Sequence, residues 1–367
     1  MTAGITARLT TRLTTGRTGR GHGLLIGPVG VVLRTRPLAA TAVVTVLLAT
    51  LCAISVFTGS LHIPFDRALA ALTGGGTRIE HLVIVEHRLS RALAAVLVGF
   101  ALGCAGALTQ TITRNPIASP DILGVGSGAA FFAVLLVTRP EVTRALGDHP
   151  AGQVLAPAAI AGGLITTAAV LGLSWRAGFD GMRLILVGIG VNSVALAGVS
   201  FLLTRADLDQ ADAAKRWLTG SLAGVRMGEV LFMAPLVLAG AVACAVLARD
   251  LSALRLGRHV APALGTSPGR TEAIALLTAV LLTSGAVAVA GPIAFVAFLA
   301  PQAAMRAFGT IGPPPPAGGL TGALLVLGAD LAAQRLPTEL PVGVPTAVIG
   351  APGLLYLLNQ HRRRTSA

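Results

Sequence analysis

The chain has 367 residues, of which 54% are apolar and 12% charged, and its formal net charge is +13. A soluble domain carries about 25% charged residues, and a buried parallel sheet shows apolar runs of about 4–8 residues. Several uncharged runs here exceed 18 residues without strict alternation, which excludes a soluble globular fold and a membrane β-barrel and leaves helices crossing a bilayer.

Residues 1–37 hold six Arg and no acid, and read as a disordered basic tail. The run 38–57 is too long for the apolar stretch of a usual signal peptide and is expected to be the first span. Uncharged runs follow at 92–112, 122–138, 151–174, 184–204 and 230–248. Residues 273–305 form one run too long for a single span. Gly291-Pro292 breaks it, because Pro lacks an amide donor and disfavours helix in the residue before it. Spans at 273–290 and 292–306 result. The Pro313–Pro316 run predicts a stiff extended connector, followed by spans at 317–334 and 342–359 and a short tail, 361–367. The expected architecture is an all-α polytopic membrane protein with about ten transmembrane helices in one domain, 38–360.

Placing the N-terminus inside and alternating sides puts 17 of the 28 Lys and Arg, but 4 of the 15 acids, in the inner segments. The entire excess of +13 falls on that side, the asymmetry expected of cytoplasmic loops. An even span number with both termini cytoplasmic follows. The charge is spread over short loops without an aromatic platform, which argues against a nucleic-acid partner. Cys52, Cys104 and Cys244 sit singly in apolar segments and read as small core residues.

No phosphate-binding Gly-rich loop ending in Gly-Lys-Ser/Thr is present. No cofactor is implied, and no metal-ligand spacing or Ser–His–Asp set is evident. The spans are almost free of ionisable residues, with Asp330 near one end and Glu339 just beyond. Ion-coupled carriers place such groups mid-membrane, and enzymes acting on lipid-linked substrates need His, Asp or Glu there. What fits best is a translocation path energised by another subunit. The largest inner loop, 249–270, is the candidate docking surface for it, with one short helix expected over Ser252–Leu264 and a break at Gly265–Gly269.

Residues 88–130, from Arg-Leu-Ser-Arg-Ala-Leu through Thr-Arg-Asn-Pro-Ile-Ala-Ser-Pro-Asp-Ile-Leu-Gly, resemble the signature stretch of the FecCD family. Trp217–Ser221, Gly291–Phe295, Glu339–Gly343 and Thr346–Pro352 extend the resemblance over about residues 38–360. These are permease subunits of ABC importers for ferric siderophores, haem and vitamin B12, with the ten-helix fold of vitamin-B12-importer (type II) permeases. The resemblance implies a bacterial plasma-membrane location and pairing with a second copy or a paralogue. It also implies a pair of ABC ATPases inside and an extracellular substrate-binding lipoprotein outside. The cargo it points to first is a ferric siderophore, with haem or cobalamin as alternatives; an ion-coupled secondary carrier is the alternative of another class.

The resemblance assigns Arg88 and Arg91 to docking of the binding protein's acids, in keeping with the bidentate pairing of guanidinium with carboxylate. Arg335 is the nearest match to a second docking Arg. Loop 249–270 matches the ATPase-coupling region. Leu256, Gly257, Arg258 and His259 stand where the family reads Leu-Gly-Glu, so an acid is replaced, while Leu264-Gly265 is kept. Asp180, Gly181, Met182 and Arg183 sit where the family closes its inner gate. Gln302 replaces a frequent His.

Overall fold

The computed structural model describes residues 21–26, 29–59, 61–145, 151–174, 181–336 and 340–365. Within the tail expected to be disordered, β1 (Gly21–Ile26) and β2 (Val29–Arg34) form an antiparallel hairpin. The remaining regular structure is helical.

Each of the ten apolar runs lies wholly or mostly in a helix; the run 292–306 is helical only from Val296. These are α1 (Thr35–Phe57), α3 (Arg78–Thr113), α4 (Val125–Thr138), α5 (Ala151–Ser174), α6 (Gly181–Thr204), α8 (Met227–Val246), α10 (Pro268–Ala290), α11 (Val296–Phe308), α12 (Pro315–Gln334) and α13 (Gly343–Thr365). Short helices lie in the connections, among them α2 (Phe65–Leu72), α7 (Leu208–Leu218) and α9 (Ala248–Leu256), with a six-residue helix at Pro140–Ala145. Among the described residues, seven helices are long and apolar enough to cross a membrane, and α4 and the Gly343–Tyr356 stretch of α13 are shorter apolar helices. The 13 residues of α11 extend about 20 Å at 1.5 Å per residue, less than the roughly 30 Å hydrocarbon core.

Helix α3 is the axis of the bundle. Over its most apolar window 78% is buried, against 72% for α10 and 61% for α12, whereas α1 and α6 are 22% and 17% buried. Glycines set the central packing. A Cβ on Gly99 or Gly103 would run into the Gly322 or Gly318 carbonyl of α12, and one on Gly106 into the Ala297 carbonyl of α11. The missing side chains let backbones approach closely, which is how helices associate where lipid supplies no hydrophobic drive. The loosely buried faces of α6, with Leu186, Ile189 and Val194 exposed, are left for lipid or another chain.

Local chemistry explains the ends. Thr77 and Glu80 form a capping box at the start of α3, with Thr77 N–H donating to Glu80 Oε2 at 2.8 Å. Gly291 at φ +70 ends α10, and Pro292 forbids its continuation. Two expectations need correction. Pro315 and Pro316 open α12 rather than extending a connector, because the first helical turn has no amide bonds for Pro to lose. The helix expected over Ser252–Leu264 is two pieces, α9 and a 3₁₀ turn at Ala261–Leu264, because Gly257 adopts φ +133 and ends α9.

Candidate functional site

Two surfaces gather the residues singled out in the sequence. The first is a cavity of about 740 Å³ lined by Arg88, Arg91 and Arg335 together with His87, Gln334 and Thr58. Its walls come from the start of α3, the end of α12, the end of α1 with the residues that follow it, and Ala223. Leu82–Leu89 within α3 is π-helical, and Ser90 Oγ donates to the Val85 carbonyl five residues back at 2.9 Å. His87 and Arg88 of this segment line the cavity wall; such wider turns recur at functional sites. The Arg88 guanidinium donates to the carbonyls of Val56, at 3.3 Å, and Leu61.

Arg91 is used differently. Its Nε and Nη2 reach both oxygens of Asp330 at 3.0–3.2 Å, and Gln334 Nε2 donates to Asp330 Oδ2 at 2.7 Å. Asp330 is fully buried, and the Arg91 side chain is 15% exposed. The pair joins α3 to α12 across 239 residues of sequence. So the cavity collects all three arginines expected to dock a partner, but much of Arg91's charge is taken up inside the chain. Arg335 closes the end of α12 and is exposed. Sequence reading placed Asp330 near a span's end and gave it no partner; its signal was an acid alone in an apolar helix, which needs a countercharge.

The second surface is the segment from α9 to the start of α10. Leu256, Val260 and Leu264, spaced four residues apart, are 67%, 48% and 50% exposed. They are exposed apolar side chains on a basic loop. Gly265 at φ +79 turns the chain toward α10, and Thr266 Oγ1 donates to Asp250 Oδ1 at 3.0 Å. Arg255 donates to the carbonyls of Ile311 and Pro313; burial pulls its guanidinium below the ordinary arginine range. Arg114 Nη2 donates to the Leu254 carbonyl at 3.3 Å. Arg258, which stands where the related pattern carries an acid, pairs with Glu272 of α10 at 3.3 Å. His259 lies in the turn between α9 and the 3₁₀ piece.

Of the expected gate residues, Asp180 lies outside the described residues, as does the side chain of Met182; the backbone of Gly181 and Met182 begins α6. Arg183 Nη2 donates to the Leu173 carbonyl at 3.3 Å. Inside the bundle Gln302 Nε2 donates to Gln110 Oε1 at 2.7 Å, and Gln110 Nε2 to the Phe298 carbonyl at 3.0 Å. Both glutamines are buried. This bridge between α3 and α11 was not foreseen. Among the described residues no group of three or more His, Cys, Asp or Glu is placed to hold a metal ion.

Comparison with known proteins fits this arrangement. The model of the FecCD transport family matches residues 47–360. A ferric enterobactin transport system permease protein of Escherichia coli strain K12 is 38% identical over 310 residues, covering 83% of this chain and 91% of that protein. A cobalamin import system permease protein of Halobacterium salinarum is 34% identical over 351 residues, covering 92% of each. Among solved structures, an inward-facing metal-chelate type ABC transporter superposes with a TM-score of 0.74 at 26% identity, covering 88% of this chain and 99% of that one.

Proposed function

Since this chain belongs to the FecCD transport family and is a multi-pass membrane permease of the ABC importer kind, we propose that it forms half of an ATP-driven import pathway for a ferric siderophore. The observation that carries this reading is the family match over residues 47–360, which takes in eight of the ten apolar helices whole, most of α13 and about half of α1. The permease subunit supplies the path; ATP hydrolysis comes from a partner pair of ATPases.

The charge asymmetry supports an orientation with both termini cytoplasmic in a bacterial plasma membrane. The loop around Arg258 then faces the cytoplasm, and the arginine-lined cavity faces outside. Arg88 and Arg335 present positive charge to acidic side chains of a substrate-binding lipoprotein, steering it onto the mouth of the pathway. The exposed side chains of Leu256, Val260 and Leu264 offer the ATPase apolar contacts. A second copy, or a paralogue, completes the pathway against the sparsely buried helices. Closure of the ATPases then moves the loop 249–270 and switches the pathway between outward- and inward-open packings, which must lie within a few kcal/mol of one another.

The test is iron-55 uptake from a panel of ferric siderophores, comparing the wild type with a deletion of this gene. Loss of one siderophore class, restored by the gene but not beside an inactivated ATPase, is the expected result. Unchanged uptake across the panel contradicts the siderophore reading. It would favour the second one, cobalamin, which the relative from Halobacterium salinarum supports.

A further inference from the structure

Glu272 is an acid that the reading above leaves without a role. It sits in the first turns of α10 with its side chain 8% exposed, and its Oε2 lies 3.3 Å from Arg258 Nη2. Arg114 faces the same carboxylate. Glu272 Oε2 is buried with no hydrogen-bond partner in the structure, so opposite charge is what offsets its loss of water. Moving Arg258 away would take the cation at 3.3 Å from a buried carboxylate and leave the charge of Arg114 to offset its burial, which is unfavourable. The turn carrying Arg258 and the inner end of α10 are therefore bound to move together.

The outer end of α10 is tied as well. The Ala290 carbonyl accepts the Ser221 N–H at 2.8 Å, and the Gly220 carbonyl accepts the Gly343 N–H of α13 at 3.1 Å. Gly291 abuts the Trp217 carbonyl so closely that a Cβ there would overlap it. Ala223, two residues beyond Ser221, lines the outer cavity. Along its length α10 packs closely on its neighbours: a Cβ on Gly163 of α5 would lie 2.8 Å from Ser284 Oγ, and one on Gly240 of α8 2.6 Å from Leu282.

We infer that the Arg258–Glu272 pair clamps the coupling loop to α10, and that α10 carries the loop's movement to the 217–223 turn at the rim of the outer cavity. Glu272 is thus a positioning residue for transport. The inference rests on reading 249–270 as the ATPase-coupling region, and it specifies the route by which that region reaches the other side of the membrane. A shared helix with both ends fastened is a physical connection, but only a measured coupling makes it a pathway.

The test uses open membrane fragments from the source strain, with the chromosomal copy carrying Ala223→Cys. Labelling by a membrane-impermeant maleimide is timed with and without Mg-ATP and vanadate, per chain present by immunoblot. The parent is expected to change its labelling rate on nucleotide trapping. Arg258→Glu and Glu272→Arg, each alone, cut that change by about tenfold. The double reversal restores it, and Arg258→Lys keeps it. Arg258→Gln, which removes the charge without reversing it, shows the same loss as the reversals and serves if these insert poorly. Single variants that respond like the parent, or a double no better than the singles, overturn the clamp alone. A parent indifferent to nucleotide overturns the coupling reading itself, and the clamp with it.

Discussion

At the scale of single residues, the two arginines of the Arg-Leu-Ser-Arg motif have separate tasks. Arg91, at the cavity wall, meets the fully buried Asp330 in a bidentate pair. Removing one partner of such a pair leaves the other buried and uncompensated, at a cost of about 3–5 kcal/mol, whereas replacing both by apolar groups is often neutral. Asp330→Ala is expected to lower the thermal unfolding midpoint of the detergent-solubilised protein markedly, and the double variant Arg91→Leu/Asp330→Leu to recover most of the loss. Equal midpoints for the single and double variants would contradict the pairing. Arg88 faces the cavity and is held by backbone carbonyls. Arg88→Glu is expected to leave membrane abundance unchanged and to cut uptake at least about tenfold, since reversing an interfacial charge costs several kcal/mol of recognition. Uptake within twofold of wild type would remove Arg88 from the docking surface. The motif was legible in the sequence because both arginines break the positive-inside trend and match a known pattern. The pairing of Arg91 with a residue 239 positions away was not, because no local period connects them. The same holds for Gln110 and Gln302.

At the scale of elements, uncharged runs located every apolar helix, since a bilayer demands about 20 apolar residues per crossing. What composition does not encode is where a helix continues past its apolar part or stops short. Helix α3 runs for 36 residues, beginning at the Thr77 capping box well before its apolar run, and its π-helical segment leaves no compositional trace. Conversely, the helix expected over Ser252–Leu264 breaks at Gly257, where the backbone takes a positive φ that sequence pattern alone does not announce. Packing of α3 on α12 turns on facing glycines. Gly103→Leu must push against the Gly318 backbone, which cannot rotate away as a side chain would. Overpacking of a side-chain core costs about 1–3 kcal/mol, occasionally more; here the upper end or beyond is expected, seen as loss of membrane-inserted chain. Gly224→Leu, at a glycine with open space around it, is expected to insert normally. Equal insertion of the two variants would refute the close approach.

At the scale of the whole molecule, the excess of 13 positive charges makes an orientation testable. Ala223→Cys, at the arginine-lined cavity, is expected to react with a membrane-impermeant maleimide in intact cells. Ser252→Cys, exposed on α9, is expected to react only after permeabilisation. The reverse pattern would invert the chain and exchange its docking and coupling faces. With the orientation fixed, the proposed function requires that transport be driven by ATP bound to a partner and coupled through the inner loop. The most direct measurement is iron-55 ferric siderophore uptake into right-side-out membrane vesicles supplied with the binding protein and loaded with ATP. Uptake should require internal ATP, persist when ionophores collapse the membrane potential and proton gradient, and vanish in vesicles lacking this chain. Uptake that proceeds without ATP and collapses with the ionophores would show an ion-coupled carrier and contradict the account.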